Sequence, residues 1–268
     1  MKKSSPIRFG CHAFLNSKPI SDFLFQHRKD LNLDLRLDHP ARLADALRRG
    51  ELDLAFIPSI EYLNIPGALI VPDISIASNG AVKTVLLVCK KKLEDVRSIA
   101  LDERSRTSVI LLKLILKDKN ITSCFFYLMP PNINAMLENN DAGLIIGDAA
   151  FAAHGRGMEI YDLSSEWFRM TQMPFVHAII AASQGFRVNS ELTHGLREAK
   201  RTAKIRACEI AGEESKKLGV SFEECLDYLQ NKIIYDLGPR ELEGLKKFYA
   251  MAAESGQAPA ELPELRFA

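Results

Sequence analysis

The chain has 268 residues, 47% of them hydrophobic and 26% charged, enough apolar material for a large buried core and an expectation of two domains rather than disorder. Thirty-five basic against 34 acidic side chains leave a formal net charge of +1, so no whole-molecule field recommends nucleic acid or a membrane surface as partner, and any anion affinity has to be local. Five cysteines, an odd number with no Cys-x-x-Cys, argue for reduced thiols and against a structural zinc or a disulfide framework.

The Met1-Lys2-Lys3 start looks like the charged part of a secretory signal, but Arg8, Gly10, His12 and Asn16 interrupt the apolar stretch that should follow. No later segment reads as long enough to span a bilayer, and the expected compartment is the cytoplasm. Ile7 to Cys11 alternates as a strand does, and Pro19 is placed to open a helix through Phe23 and Leu24. Leu33, Leu35 and Leu37 predict a second strand. A helix over 41–49 stops at Gly50, and Leu52 to Ile57 predicts a third strand. Ser59 then stands where an N-cap would start the next helix. This alternation predicts an α/β domain with a largely parallel sheet.

Ser75 to Ser108 organises the rest. An Asn-Gly break at Gly80 precedes an aliphatic run to Cys89, which predicts a buried strand crossing between domains. A short strand from Ile99 then delivers a Ser/Thr-rich loop, Ser105 to Ser108, onto the start of an apolar helix. Free N–H groups and the positive dipole end there suit a carboxylate or phosphate. Further on, 121–128 and 143–148 predict strands, 132–139 a short helix, and Ser164 or Ser165 a cap for the turn carrying Trp167. Pro174 to Ala182 predicts the return crossing. Helices follow from Ser190, from the Ser221/Glu224 capping spacing and from Pro239, with an extended tail. Two crossings without a Pro/Gly linker predict a discontinuous first domain, 1–84 and 183–268, and an inserted second one, 85–182. The ligand site is expected in the cleft between them.

Several stretches then become recognisable. Phe14-Leu15-Asn16-x-x-Pro19, Pro58-Ser59-Ile60-Glu61-Tyr62, Gly80-x-Val82-x-Thr84-Val85, Ser105-Arg106-Thr107-Ser108-Val109, Ile145-Ile146-Gly147-Asp148-Ala149-Ala150, and the run from Ile234 to Leu245 holding Gly238, Glu241 and Gly244 stand in this order over nearly the whole chain. Together they resemble the chorismate dehydratase family of the futalosine route to menaquinone. The resemblance implies an α/β, two-lobed, periplasmic-binding-protein-like type II fold used as a cytoplasmic lyase. It implies conversion of chorismate to 3-[(1-carboxyvinyl)oxy]benzoate by loss of water, with a small-molecule substrate, no cofactor and no metal. Carried over motif by motif, it gives Asn16 and Thr84 as catalytic residues and Ser59, Thr107, Ser108, Gly147 and Asp148 as substrate-binding ones.

The sister 1,4-dihydroxy-6-naphthoate synthases share that fold. They open with a Cys-Pro-Asn-Asp type of loop and carry a histidine after the Ile-Ile strand, where this chain has Leu15-Asn16-Ser17-Lys18 and Gly147-Asp148. That favours the dehydratase. Four positions depart from the dehydratase pattern: Thr84 replaces a usual serine, Ala13-Phe14 a usual Ser-Tyr, and His177 a usual phenylalanine. The other class of reading is a solute-binding or sensing protein for a small carboxylate on the same fold, since fold alone does not fix function. A secreted binder needs a signal peptide and a sensor an effector segment, and the sequence displays neither.

The chemistry of the resemblance is consistent with these residue types. Loss of the proton from the ring carbon bearing the enolpyruvyl ether drives negative charge onto the ring carboxylate, and donors such as Thr107 and Ser108 stabilise it there. The neighbouring hydroxyl then leaves and the ring aromatises. Asn16 is an amide and serves orientation rather than proton transfer. The matching motifs hold no strong base, which leaves the substrate's own enolpyruvyl carboxylate or a water as acceptor. Each residue also has an ordinary role: N-caps at Ser59, Ser105 and Thr107, a helix cap at Asp148, a turn at Asn16. His12 beside Cys11 reads as a solvated loop residue, His177 as a satisfied cleft or core histidine, and Phe125 to Tyr127 and Trp167-Phe168 as core.

Overall fold

The computed structural model describes residues 5–153 and 157–268; the Met1-Lys2-Lys3 start lies outside them. Two five-stranded sheets form the frame. The first is ordered β2 (Leu33–Asp38), β1 (Ile7–His12), β3 (Leu54–Pro58), β10 (Phe175–Ala182), β4 (Leu69–Ser78). The second is ordered β7 (Phe125–Met129), β6 (Ser98–Asp102), β8 (Ala142–Ile146), β5 (Val85–Cys89), β9 (Glu159–Asp162). In each sheet the fourth strand runs antiparallel to its neighbours, and it is the strand that has just crossed from the other lobe. Helices α1 (Lys18–Gln26), α2 (Pro40–Arg48), α6 (Ser190–Leu218), α7 (Phe222–Asp227) and α8 (Pro239–Glu254) belong to chain segments flanking the first sheet. Helices α3 (Thr107–Asp118), α4 (Ile133–Asn139) and α5 (Leu163–Thr171) lie in the second segment.

This topology corrects one boundary. The expected second domain ran to residue 182, but β10 is hydrogen-bonded between β3 and β4, so the return connection lies at 172–174 and precedes the strand. That connection is fixed by aromatic packing. Trp167 of α5 is fully buried, donates from Nε1 to the Pro174 carbonyl at 3.1 Å, and meets Phe175 and Phe248 edge-on at 5.3 and 6.0 Å. Helix α8 approaches so closely that a Cβ at Gly244 would overlap the Pro174 carbonyl oxygen. Only glycine fits there.

β4 carries no sequence expectation because Pro72-Asp73 interrupts it. The strand continues through a register shift against β10, with Asp73 in the left-handed region at φ 69°. β7 departs from its expected core place: Phe125 and Tyr127 are 70% and 51% exposed on a sheet edge. Among the described residues no helix is long and apolar enough to cross a membrane.

Candidate active-site cleft

The cleft opens where the C-terminal ends of β1, β3, β6 and β8 face one another, and with its mouth it holds about 530 Å³ of empty space. Its lining includes Asn16, Thr84, Thr107, Ser108 and Gly147, five of the seven residues expected from sequence. Ser59 and Asp148 lie outside the lining. The fully buried Ser59 donates to the Val176 carbonyl at 2.7 Å, while its own carbonyl accepts from Tyr249. It is no N-cap, since the 3₁₀ turn Ser59–Asn64 starts from Pro58 without a side-chain cap.

The start of α3 is left open in a way that other helix starts are not. Asn132, Asp162, Asn189 and Ser221 cap α4, α5, α6 and α7 with their side chains, and α1, α2 and α8 carry proline in the first turn. α3 has neither: its N-cap is Arg106, with no side-chain cap bond. The expected caps act otherwise. Ser105 Oγ is buried without a hydrogen-bond partner among the described residues, and Thr107 Oγ1 accepts from the Ile60 N–H at 3.2 Å across the cleft. The cap is Arg106 because its guanidinium is drawn over the cleft to Asp45, at 2.7 and 3.1 Å, and to Glu61, at 2.9 Å. Arg106 in turn holds the Asp45 carboxyl below its ordinary value.

On the opposite wall, Asn16 sits in the short turn Leu15–Ser17 with Oδ1 buried and unpartnered among the described residues. Thr84 Oγ1 lies 2.8 Å from the hydroxyl of the buried Tyr228, which has the Asn16 amide beside it. Burial drives the Tyr228 phenol far up, so it serves as a neutral hydrogen-bonding group. Gly147 follows β8 at φ 64°, donates to the Thr84 carbonyl at 2.9 Å, and would place a Cβ 3.0 Å from the Phe14 ring. Asp148 accepts from the Leu15 N–H at 3.0 Å, and burial pushes its carboxyl up to about 6.

Sequence reasoning missed several lining residues. His12 is 3% exposed rather than solvated, because β1 is an interior strand covered on both faces. Its Nε2 faces the Phe56 carbonyl at 3.1 Å and so carries the proton, and burial holds the ring down at about 3. His177, by contrast, is where it was expected, a satisfied histidine on the cleft lining: it lies 3.0 Å from Ser78 Oγ, and burial holds it at about 4. Arg104 lines the second wall, its guanidinium paired with Asp102 at 2.7 and 2.9 Å. The Asp102-x-Arg104 spacing at a strand end was the signal available for it. Among the described residues no group of three His, Cys, Asp or Glu side chains is gathered as a metal would need.

The model of a family described as menaquinone biosynthesis matches residues 7–254. A curated chorismate dehydratase of Thermus thermophilus is 32% identical, covering 97% of this chain and 99% of that protein. Among solved structures, Archaeoglobus fulgidus protein AF1704 superposes with a TM-score of 0.76 at 19% identity, over 95% of this chain and 99% of that one. The periplasmic aliphatic sulphonate binding protein SsuA of Escherichia coli gives 0.68 at 13% identity, over 99% and 94%. At such identities the two likenesses speak for the fold, which is that of two-lobed periplasmic binding proteins.

Proposed function

The chain belongs to the menaquinone-biosynthesis family, and from that membership we propose that it is a chorismate dehydratase, a hydro-lyase that eliminates water from chorismate to give 3-[(1-carboxyvinyl)oxy]benzoate. The observation that carries this reading is the start of α3, which has no side-chain cap, beside Ser105 Oγ and in one cleft with Asn16 Oδ1, both buried and without a partner among the described residues. The first-turn N–H groups and the Ser108 hydroxyl take the ring carboxylate, where charge develops as the ring proton leaves. Asn16 and the Thr84–Tyr228 pair orient the ring.

Magnitudes bear on the choice of base. His12 at about 3 and His177 at about 4 are no more basic than an ordinary carboxylate, and no Asp or Glu lines the cleft among the described residues. The substrate's own enolpyruvyl carboxylate is equally basic and is tethered beside the proton, so it is the acceptor, with proximity supplying the advantage. The enolpyruvyl carboxyl, now carrying the ring proton, returns it to the neighbouring ring hydroxyl, which departs as water and completes the aromatic ring. The free, mostly buried cysteines suit a reducing compartment, and we place the activity in the cytoplasm.

Incubation with chorismate, followed through the absorbance of the aromatic product, tests the reading. Product formation by the purified protein is expected. Saturable chorismate binding without turnover would instead make the chain a binding or sensing protein.

A further inference from the structure

We infer that Arg104 is the anchor for the second carboxylate of the ligand, the one on the enolpyruvyl arm; this rests on the dehydratase reading. A dicarboxylate whose ring carboxylate sits at the start of α3 needs another donor for its other end. The lining holds two cations, Arg104 and Arg106. Arg106 already faces two carboxylates, with both terminal nitrogens engaged by Asp45 and Nη1 also by Glu61. Arg104 is engaged differently. Its Nε and Nη2 form a fork on Asp102, and Nη2 also donates to the Ile146 carbonyl at 3.0 Å, whereas Nη1 has no acceptor among the described residues.

The side chain is 11% exposed, and the Phe14 ring lies 5.3 Å from the guanidinium carbon. Asp102 is fully buried and also accepts from the Arg104 and Ile146 N–H groups, so it cannot swing away. The result is a guanidinium fixed on one edge with its remaining edge on the cleft, a geometry suited to a carboxylate. A cation lowers the proton affinity of the carboxylate it holds, so the benefit to the reaction is placement: one oxygen is gripped and the other is aimed at the ring proton.

The test compares two ligands by calorimetry: 3-[(1-carboxyvinyl)oxy]benzoate and 3-(vinyloxy)benzoate, which lacks the second carboxylate. Wild-type protein should prefer the dicarboxylate by about 10- to 100-fold, the size of one charge-assisted hydrogen bond. Arg104→Gln should reduce that preference at least about tenfold while leaving affinity for the monocarboxylate within about threefold. Should Arg104→Gln not fold with Asp102 left unpaired, Arg104→Lys keeps Asp102 neutralised, loses the fork, and should show the same collapse of preference. Equal weakening of both ligands would mean a purely structural ion pair and overturn the inference. So would an unchanged preference, or a wild-type protein that turns over chorismate without preferring the dicarboxylate. A wild-type protein that neither binds these ligands nor consumes chorismate overturns the dehydratase reading, and the inference with it.

Discussion

The two walls of the cleft stand on sheets with the same strand order and present opposite chemistry. On the first wall, the helices α1 and α2 begin with Pro19 and Pro40, which lack an N–H, and the polar groups are neutral: His12, Asn16, Thr84. On the second, α3 begins with Thr107-Ser108 and keeps its first-turn donors, and both lining arginines flank that start. The comparison teaches that topology only brings helix starts to the cleft. What sits at the first two positions of each helix decides which wall receives an anion and which orients an apolar ring. A ligand gripped on one wall and oriented by the other needs the lobes closed, and the cross-cleft contacts of Thr107 with Ile60 and of Arg106 with Asp45 and Glu61 close them.

The sharpest way to break this contrast is Ser108→Ala. Arg106 occupies the N-cap position of α3 and no side chain caps it, so the Ser108 hydroxyl holds no helix end and its loss should leave the melting temperature nearly unchanged. If the second wall stabilises developing charge, turnover falls about 10²- to 10³-fold, more than affinity for the aromatic product. Steady-state kinetics alongside calorimetry reads both. Full turnover, or activity and melting temperature lost in proportion, would make the position structural.

The next effect is on stability and comes from Asp148, which joins the walls through Leu15. Burial raises its carboxyl from 3.8 to about 6, so the native state holds the proton more tightly than the unfolded chain does. The stability this contributes is full below about pH 4 and is lost as pH rises through about 6. Asp148→Asn keeps an oxygen for the Leu15 N–H and removes the ionisation. The variant should be more stable than wild type at pH 8, by at most about 3 kcal/mol, and equal to it at pH 4. Thermal melts across that range check the sign, and a variant equally stable or less stable at pH 8 defeats the argument.

A smaller effect belongs to the cross-cleft ion pairs. Arg106→Met leaves Glu61 with Arg48 at 2.6 Å, so no bare charge is buried, and the partly exposed pair with Asp45 contributes about 1 kcal/mol. The unliganded protein should expand measurably in small-angle scattering and bind product about fivefold more weakly, while high salt reproduces part of the change in wild type. An unchanged scattering profile would show that the lobes close without this contact.

Much of this architecture was legible locally, and what was not has a common cause. The strands and helices follow periodicity, Pro19 and Pro239 open helices as expected, and Ser221 caps α7 through Glu224. The family motifs brought Asn16, Thr84, Thr107, Ser108 and Gly147 to one space. Sequence could not assign β10 to its sheet, because an apolar strand pairs equally well in either. Nor could it place the cap of α3, since Ser105 and Thr107 are better capping types than Arg106. Only partners about 45 to 60 residues away, Asp45 and Glu61, pull Arg106 into that place. His12 misled for a similar reason: adjacent residues do face opposite sides, but both sides of an interior strand are covered.

The smallest effect expected is at Thr84, and it sharpens the account of the first wall. Thr84 is 1% exposed, and its hydroxyl meets Tyr228 at 2.8 Å, a contact a serine hydroxyl can make from the same Cβ. Thr84→Ser therefore removes one buried methyl group and nothing polar. Burying a methylene-sized group is worth about 0.8 kcal/mol, roughly a fourfold factor if all of it were felt in binding. The Michaelis constant should move by no more than that, with turnover unchanged. Thr84→Val is the contrasting variant: it keeps the volume and strips the hydroxyl, leaving the phenol of the fully buried Tyr228 without this partner, at a cost of about 1–3 kcal/mol. If the first wall orients through its polar groups, the valine variant loses turnover and the serine variant does not. If serine changes turnover more than about tenfold while valine is tolerated, beyond what one methyl group supplies, the wall works by shape, and the Thr84–Tyr228 hydrogen bond is incidental to the reaction.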